Sequence, residues 1–157
     1  MNLTMSTLKQ VINFGHWSVV TVIVGGGYMY MNELAEFVID KPGVKVIRNA
    51  DEMQMKDAFA CASLAIVPSS GVLFEAIACK TPVISGYYVS NQQMIYHGFR
   101  QRNAFYDAAD FSEDALVSAL TEAKASNPDE LIKNHSALID GRSGERLCAV
   151  FKDLASR

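Results

Sequence analysis

The stretch Leu64-Ala65-Ile66-Val67, Pro68-Ser69-Ser70, Gly71-Val72-Leu73-Phe74-Glu75-Ala76-Ile77-Ala78-Cys79, Lys80-Thr81-Pro82, Val83-Ile84-Ser85-Gly86-Tyr87 decides the fold. It reads as a buried strand, a turn of small residues, a helix with one early carboxylate, a second turn and a second buried strand. A strand–helix–strand passage with two fully apolar strands implies a parallel pair joined by a crossover helix.

The pattern extends in both directions. Leu3 to Phe14 carries apolar residues at helical spacing, with Thr4 or Ser6 as caps. Val19 to Val24 is dominated by β-branched residues and stops at Gly25-Gly26-Gly27, so it reads as a buried strand. A helix over Tyr28 to Ile39 and a strand over Val44 to Ile47 follow. Asp51 with Gln54 forms a capping-box signature for a helix reaching Ala62. Beyond Tyr87, Ser90 with Gln93 repeats that signature for a helix ending near His97-Gly98, and Ala104-Phe105-Tyr106 reads as a last strand. Ser112 heads a helix to about Ala125, Pro128 opens another, and a final helix runs through Leu154 after Asp140-Gly141-Arg142-Ser143-Gly144. This alternation predicts an α/β fold: a Rossmann-like parallel sheet with helices on both faces. Its turns after Val24, Val67 and Tyr87 lie on the carboxyl edge, where such sheets bind ligands.

The 157 residues fit a single domain spanning residues 1–157. Half the residues are hydrophobic, a fifth are charged, and the net charge of -3 argues against nucleic acid as a partner. The apolar run Ser18 to Val24 is too short to span a bilayer, and Met1-Asn2-Leu3-Thr4 lacks the features of a secretory leader. A cytoplasmic location is therefore expected. Cys61, Cys79 and Cys148 have no paired spacing and read as buried reduced thiols; no metal is expected, and His16, His97 and His135 show no ligand spacing either.

Ser69-Ser70-Gly71 sits between a strand and a helix. The first N–H groups of a helix lack internal partners and carry partial positive charge, so they attract phosphate, although a plain serine cap is the simpler reading. Glu75 lies one turn further on the same face of an otherwise apolar helix, where a carboxylate needs a partner. A ribose diol would supply one, as would Lys80 or a backbone group. Asn91-Gln92-Gln93 offers amides to a sugar or phosphate, or serves only as a cap. No G-x-G-x-x-G is present after any strand, so a dehydrogenase is not indicated and no cofactor is expected.

Ser69-Ser70-Gly71-(x)3-Glu75-Ala76, Thr81-Pro82-Val83-Ile84 and Asn91-Gln92 resemble the C-terminal half of GT-B nucleotide-sugar enzymes of the glycosyltransferase family 28 C-terminal type. Asn91-Gln92 and Asp140-Gly141-x-x-Gly144-x-Arg146 are similar to features of the pseudaminic acid pathway UDP-sugar hydrolase and of spore-coat polysaccharide glycosyltransferase-like proteins. The resemblance implies a UDP-sugar as substrate. Ser69, Ser70 and Gly71 would hold the diphosphate, Glu75 the ribose, and Asn91 with Gln92 the phosphate or sugar. Uracil would lie against the loop at about Ile47 to Met53. The family pattern begins with a central strand ending in Gly-Gly-Ser/Thr-Asp before the helix that starts here near Asn2, and that strand is absent. Its neighbours would keep unpaired edges, which invites a homodimer, strand exchange or an upstream segment. The N-terminal half, which carries the acceptor site and catalytic base in the family, is absent too. The resemblance therefore implies no catalytic residue in this chain, and an N-terminal acceptor-binding domain or subunit as partner. A UDP-GlcNAc 2-epimerase-like half and a non-catalytic interaction domain are the alternative readings.

Overall fold

The computed structural model describes residues 2–15 and 17–156; His16 lies outside the described residues. Helices and strands alternate: α1 (Leu3–Phe14), β1 (Val20–Val24), α2 (Met31–Val38), β2 (Val44–Arg48), α3 (Glu52–Cys61), β3 (Ala65–Pro68), α4 (Gly71–Ala78) and β4 (Val83–Gly86). A short 3-10 turn (Ser90–Gln92) then leads to α5 (Gln93–Arg100), β5 (Tyr106–Asp107), α6 (Glu113–Ala125), α7 (Asp129–Leu138) and α8 (Ser143–Ala155). The Asp51–Gln54 capping box forms with both bonds in place.

All strand pairs are parallel, in two separate sheets: β1-β2, and β3-β4-β5. The larger sheet is clad on both faces. Phe59, Leu73, Ile77 and Tyr96 of α3, α4 and α5 pack with Ala65, Val67 and Val83 on one side. Leu116, Ala119 and Leu120 of α6 pack with Ile84 and Tyr106 on the other. Among the described residues the smaller sheet's core cluster lies on one face, where Met5, Leu8 and Leu34 of α1 and α2 meet Val22 and Val24.

The expectation that Val19 to Val24 is buried throughout needs correction. Val22 and Val24 are buried, but Val19 and Thr21 are exposed and Ile23 is half-buried. α3 contributes its one buried residue, Phe59, to the larger sheet's core.

Helix α1 joins the two halves. Met5 and Leu8 pack on the smaller sheet, while Leu3 and Phe14 reach the core of the larger one. Right-handed crossovers, with α2 on the α1 face and α4 and α5 on the opposite face, place β1 and β3 on either side of the junction beneath α1. The junction is therefore the topological switch point of a doubly wound arrangement. The thiols are free, and contrary to expectation Cys61 and Cys148 are exposed and Cys79 only half-buried. Cys61 ends α3 on its solvent side, and α8 is exposed along its whole length.

Candidate functional site

Strand parity separates the serines after β3. Ala65, Val67 and Ser69 share one face, so Ser69 turns inward: it is fully buried, and its Oγ lies 2.9 Å from the equally buried Ser85 Oγ on β4. Its N–H donates to the Gly86 carbonyl at 2.8 Å. Ser69 thus closes the β3–β4 ladder instead of facing the edge. Ser70 is the N-cap of α4 and its hydroxyl makes no capping bond. The N–H groups of Gly71 and Val72 have no partner among the described residues, as the first turn of a helix requires. Gly71 is exposed, with open space where a side chain would stand.

Glu75 is exposed on the next turn and pairs with nothing among the described residues; the bond to Lys80 weighed above does not form. Ser70, Gly71 and Glu75 therefore present a hydroxyl, free N–H groups and a carboxylate to solvent from the start of α4.

After β4 the anticipated Ser90–Gln93 capping box is replaced by a 3-10 turn. Gln92 is buried and its Oε1 accepts the Tyr88 N–H at 3.1 Å, while Gln93 becomes the first residue of α5. The amide two residues after Ser90 wins because it reaches back across the turn, leaving α5 without a side-chain cap. Asn91 is exposed with its amide free. Gly86 holds this corner: a Cβ there would collide with the Ala109 carbonyl and stand 3.1 Å from the Phe111 ring. The next N–H, that of Tyr87, donates to the same carbonyl at 2.7 Å.

Beside the corner, the Tyr96 hydroxyl donates to Asp107 at 2.8 Å and Arg100 Nε pairs with Asp107 at 2.8 Å. Burial first, and the bond to the Asp107 carboxylate second, push the Tyr96 phenol up to about 12. His97, exposed, sets its ring 5.1 Å from that of Tyr96. These contacts tie α5 to β5.

Sequence reasoning missed the contacts around the loop after β1. Asn49 has φ 54, and its amide covers Gly26, where a Cβ would stand 3.0 Å from Oδ1. Asn2 Oδ1 caps Met5 N–H and accepts the Tyr28 hydroxyl at 3.0 Å, which ties the start of α1 to the end of that loop. An asparagine directly after a strand is a recognised left-handed position and was the available signal for Asn49. The exposed Gly25-Gly26-Gly27, the start of α1 and the start of α4 thus border the carboxyl mouth of the junction. A hollow of about 260 Å³ lined by Phe14, Trp17, Leu64, Pro82 and Tyr106 lies at the opposite edge.

His135, also far from this mouth, is fully buried with Nε2 2.7 Å from the Ala104 carbonyl. Among the described residues no group of three or more His, Cys, Asp or Glu side chains is placed to hold a metal ion, and no helix is long and apolar enough to cross a membrane.

The Asp140–Arg146 motif folds as a local clasp, Arg146 donating to both carboxylate oxygens at 2.8 and 2.9 Å and holding the Asp140 carboxyl below the usual carboxylate range. A sequence model of the family described as "Glycosyl transferases group 1" matches residues 2–125, which include every residue of the mouth and exclude this clasp. No curated protein matches the chain.

Proposed function

Because the chain belongs to the glycosyl transferases group 1 family, we propose that it is the nucleotide-binding half of an enzyme acting on a UDP-activated amino sugar. The observation that carries this reading is the start of α4 beside the switch point: free Gly71 and Val72 N–H groups, an unengaged, half-buried Ser70 hydroxyl and an exposed, unpaired Glu75 carboxylate. The N–H groups suit a diphosphate and Glu75 suits the ribose diol. Asn91, exposed on the neighbouring turn, offers its free amide to the sugar or the distal phosphate. Ser69 and Gln92 support the site from inside, as positioning residues. Positive potential at the helix start would stabilise charge on the departing nucleotide in displacement at the anomeric carbon.

In this reading residues 1–157 form one domain. An N-terminal acceptor-binding domain or subunit supplies the acceptor and the base, and so decides between hydrolysis and glycosyl transfer. The resemblance to the pseudaminic acid pathway hydrolase and spore-coat proteins favours surface-polysaccharide or sialic-acid-like sugars. A homodimer through unpaired sheet edges would be seen by sedimentation.

Calorimetric titration with UDP, with CMP and ADP as controls, tests the site. Micromolar UDP affinity that weakens more than tenfold in Glu75→Ala, about 1.4 kcal/mol, is expected. UDP binding no tighter than CMP and ADP, or unchanged in Glu75→Ala, overturns it.

A further inference from the structure

Nucleotide binding at the start of α4 draws on the end of β3 and leaves the ends of β4 and β5 without a role. A polar row crosses them. Asp107 on β5 stands in register with Ser85 on β4, whose hydroxyl meets that of Ser69. Ile84 and Tyr106 turn to the α6 side, so parity turns Ser85 and Asp107 to the opposite face, the one covered by α4 and α5. With β4 between β3 and β5, Asp107 lies two strand spacings from the end of β3, about 10 Å along the carboxyl edge.

Asp107 is filled by its neighbours. Its Oδ1 accepts the Tyr96 hydroxyl and the Ala109 N–H, both at 2.8 Å, and its Oδ2 accepts Arg100 Nε at 2.8 Å. Two left-handed residues, Ala109 at φ 44 and Phe111 at φ 60, hold the loop that follows, and the Ala109 carbonyl takes the Tyr87 N–H. Side chains on a helix lean toward its start, so Arg100, in the last turn of α5, reaches back toward the carboxyl edge. Asp107 engages only Nε. Both Nη groups are without a partner among the described residues, and the Arg100 side chain is 57% exposed. The Arg100 guanidinium and the His97 ring pack on the same Tyr96 ring, 5.7 and 5.1 Å from its centre. His97 is exposed, and its ring nitrogens make no hydrogen bond among the described residues. Arg102 folds back on the Gly98 carbonyl, and Asp110 is engaged by the Ser112 N–H.

We propose that Arg100 and His97 form a second anion site, separate from the start of α4, that takes a terminal phosphomonoester group. Asp107 fixes the guanidinium through Nε, so little side-chain freedom is lost when the outer fork binds. The two Nη groups then offer parallel N–H donors to two phosphate oxygens. A ring N–H of His97 is available for the third. A carboxylate has only two oxygens, both satisfied by the fork, and would leave His97 idle. The chemistry of the pair therefore favours a phosphomonoester over a carboxylate. Its donors all belong to α5, independent of whatever α4 binds.

The probe is glycerol 3-phosphate, with acetate as control, titrated into the full chain and followed by NMR. No nucleotide is present, so the outcome is independent of the UDP titration. The Arg100 side-chain N–H and His97 ring signals should shift saturably with the ester. Acetate should bind at least about tenfold more weakly. Arg100→Gln and Arg100→Lys should each weaken the ester by at least about tenfold, since lysine keeps the charge without the fork. Arg102→Gln, which alters a neighbouring cation, should leave the affinity unchanged. A response confined to the Gly71 and Val72 amides, acetate binding as tight as the ester, or unchanged affinity in both Arg100 variants overturns the assignment. The titration of the unaltered chain decides even if both variants misfold. Phosphatidylcholine vesicles with and without phosphatidic acid separate the sources of the group. Cosedimentation that needs both phosphatidic acid and Arg100 assigns it to a lipid headgroup, and ester binding without cosedimentation assigns it to a soluble molecule.

Discussion

The two sheets begin from similar sequence and end in different environments. Val20-Thr21-Val22-Ile23-Val24 and Ala65-Ile66-Val67 are both apolar runs closed by small residues. In the larger sheet Leu73 and Ile77 cover one face and Leu116 and Leu120 the other, all of them almost wholly buried. In the smaller sheet the core cluster among the described residues lies on the face toward α1 and α2, and Thr21 and Lys45 stand in solvent on the other. A run of β-branched residues therefore specifies a strand without specifying how many layers cover it. The larger sheet holds its site residues on a core sealed from both sides, whereas the smaller one depends on α1.

The sharpest way to break the contrast is to remove the same side chain from both sides. Ile84→Ala opens a cavity at a fully buried position and should cost about 2–5 kcal/mol. Ile23→Ala, half-buried on the open face, should cost less than about 1 kcal/mol. Urea unfolding of the two variants measures both, and equal losses would mean that the open face of the smaller sheet is covered after all.

Next in size is Gly86→Ala. The added methyl meets a backbone carbonyl that cannot swing aside, so a loss of about 1–3 kcal/mol is expected, with the β4 corner shifted. Gly71→Ala meets nothing and should stay within about 0.5 kcal/mol. Thermal unfolding of the pair tests whether steric need or access to the backbone explains each glycine.

The serines sharpen the contrast within the site. Ser85→Ala leaves the buried Ser69 hydroxyl without its partner and should cost about 1–3 kcal/mol. Ser70→Ala should be near neutral for stability and, on the proposed function, should weaken UDP binding instead. Chemical denaturation and calorimetry on both variants would expose a reversal.

Element order was legible because helix and strand periods, the Asp51 cap and the glycine and proline breaks are local signals. The inward turn of Ser69 was legible as well, since it continues the Ala65, Val67 parity, but a serine before a helix invites the capping reading. Strand neighbours are a different kind of information. Nothing within Val20 to Val24 records that β1 bonds on one edge only among the described residues, because that depends on segments far away in sequence. The Ser90–Gln93 box failed for a local reason: adjacent glutamines compete for one turn, and Gln92 found the Tyr88 N–H first in space. Gly86 gave no signal at all, since its constraint comes from the Ala109 carbonyl, more than twenty positions away.

The smallest expected effect concerns protons. His135 is buried on the larger-sheet side, with Nε2 on the Ala104 carbonyl and Nδ1 without a partner among the described residues. Burial pushes the imidazole below its ordinary value, and the bond to the carbonyl opposes this only in part. Between the depressed folded value and the ordinary unfolded one, the unfolded chain binds the extra proton. Stability from this group is thus complete above the unfolded value of about 6.5 and declines as pH falls below it, by at most about 1.4 kcal/mol per pH unit. Among the described residues no histidine lies in the β1–β2 core cluster, so the acid-sensitive opening should begin around Ala104 and α7, not under α1. Hydrogen exchange at pH 7.5 and 5.5 should show the Ala104 and Leu138 amides losing protection before those of Leu8 and Val22. His135→Gln, which cannot take up the proton, should flatten the difference, and the reverse order would place the weaker half of the molecule at the larger sheet.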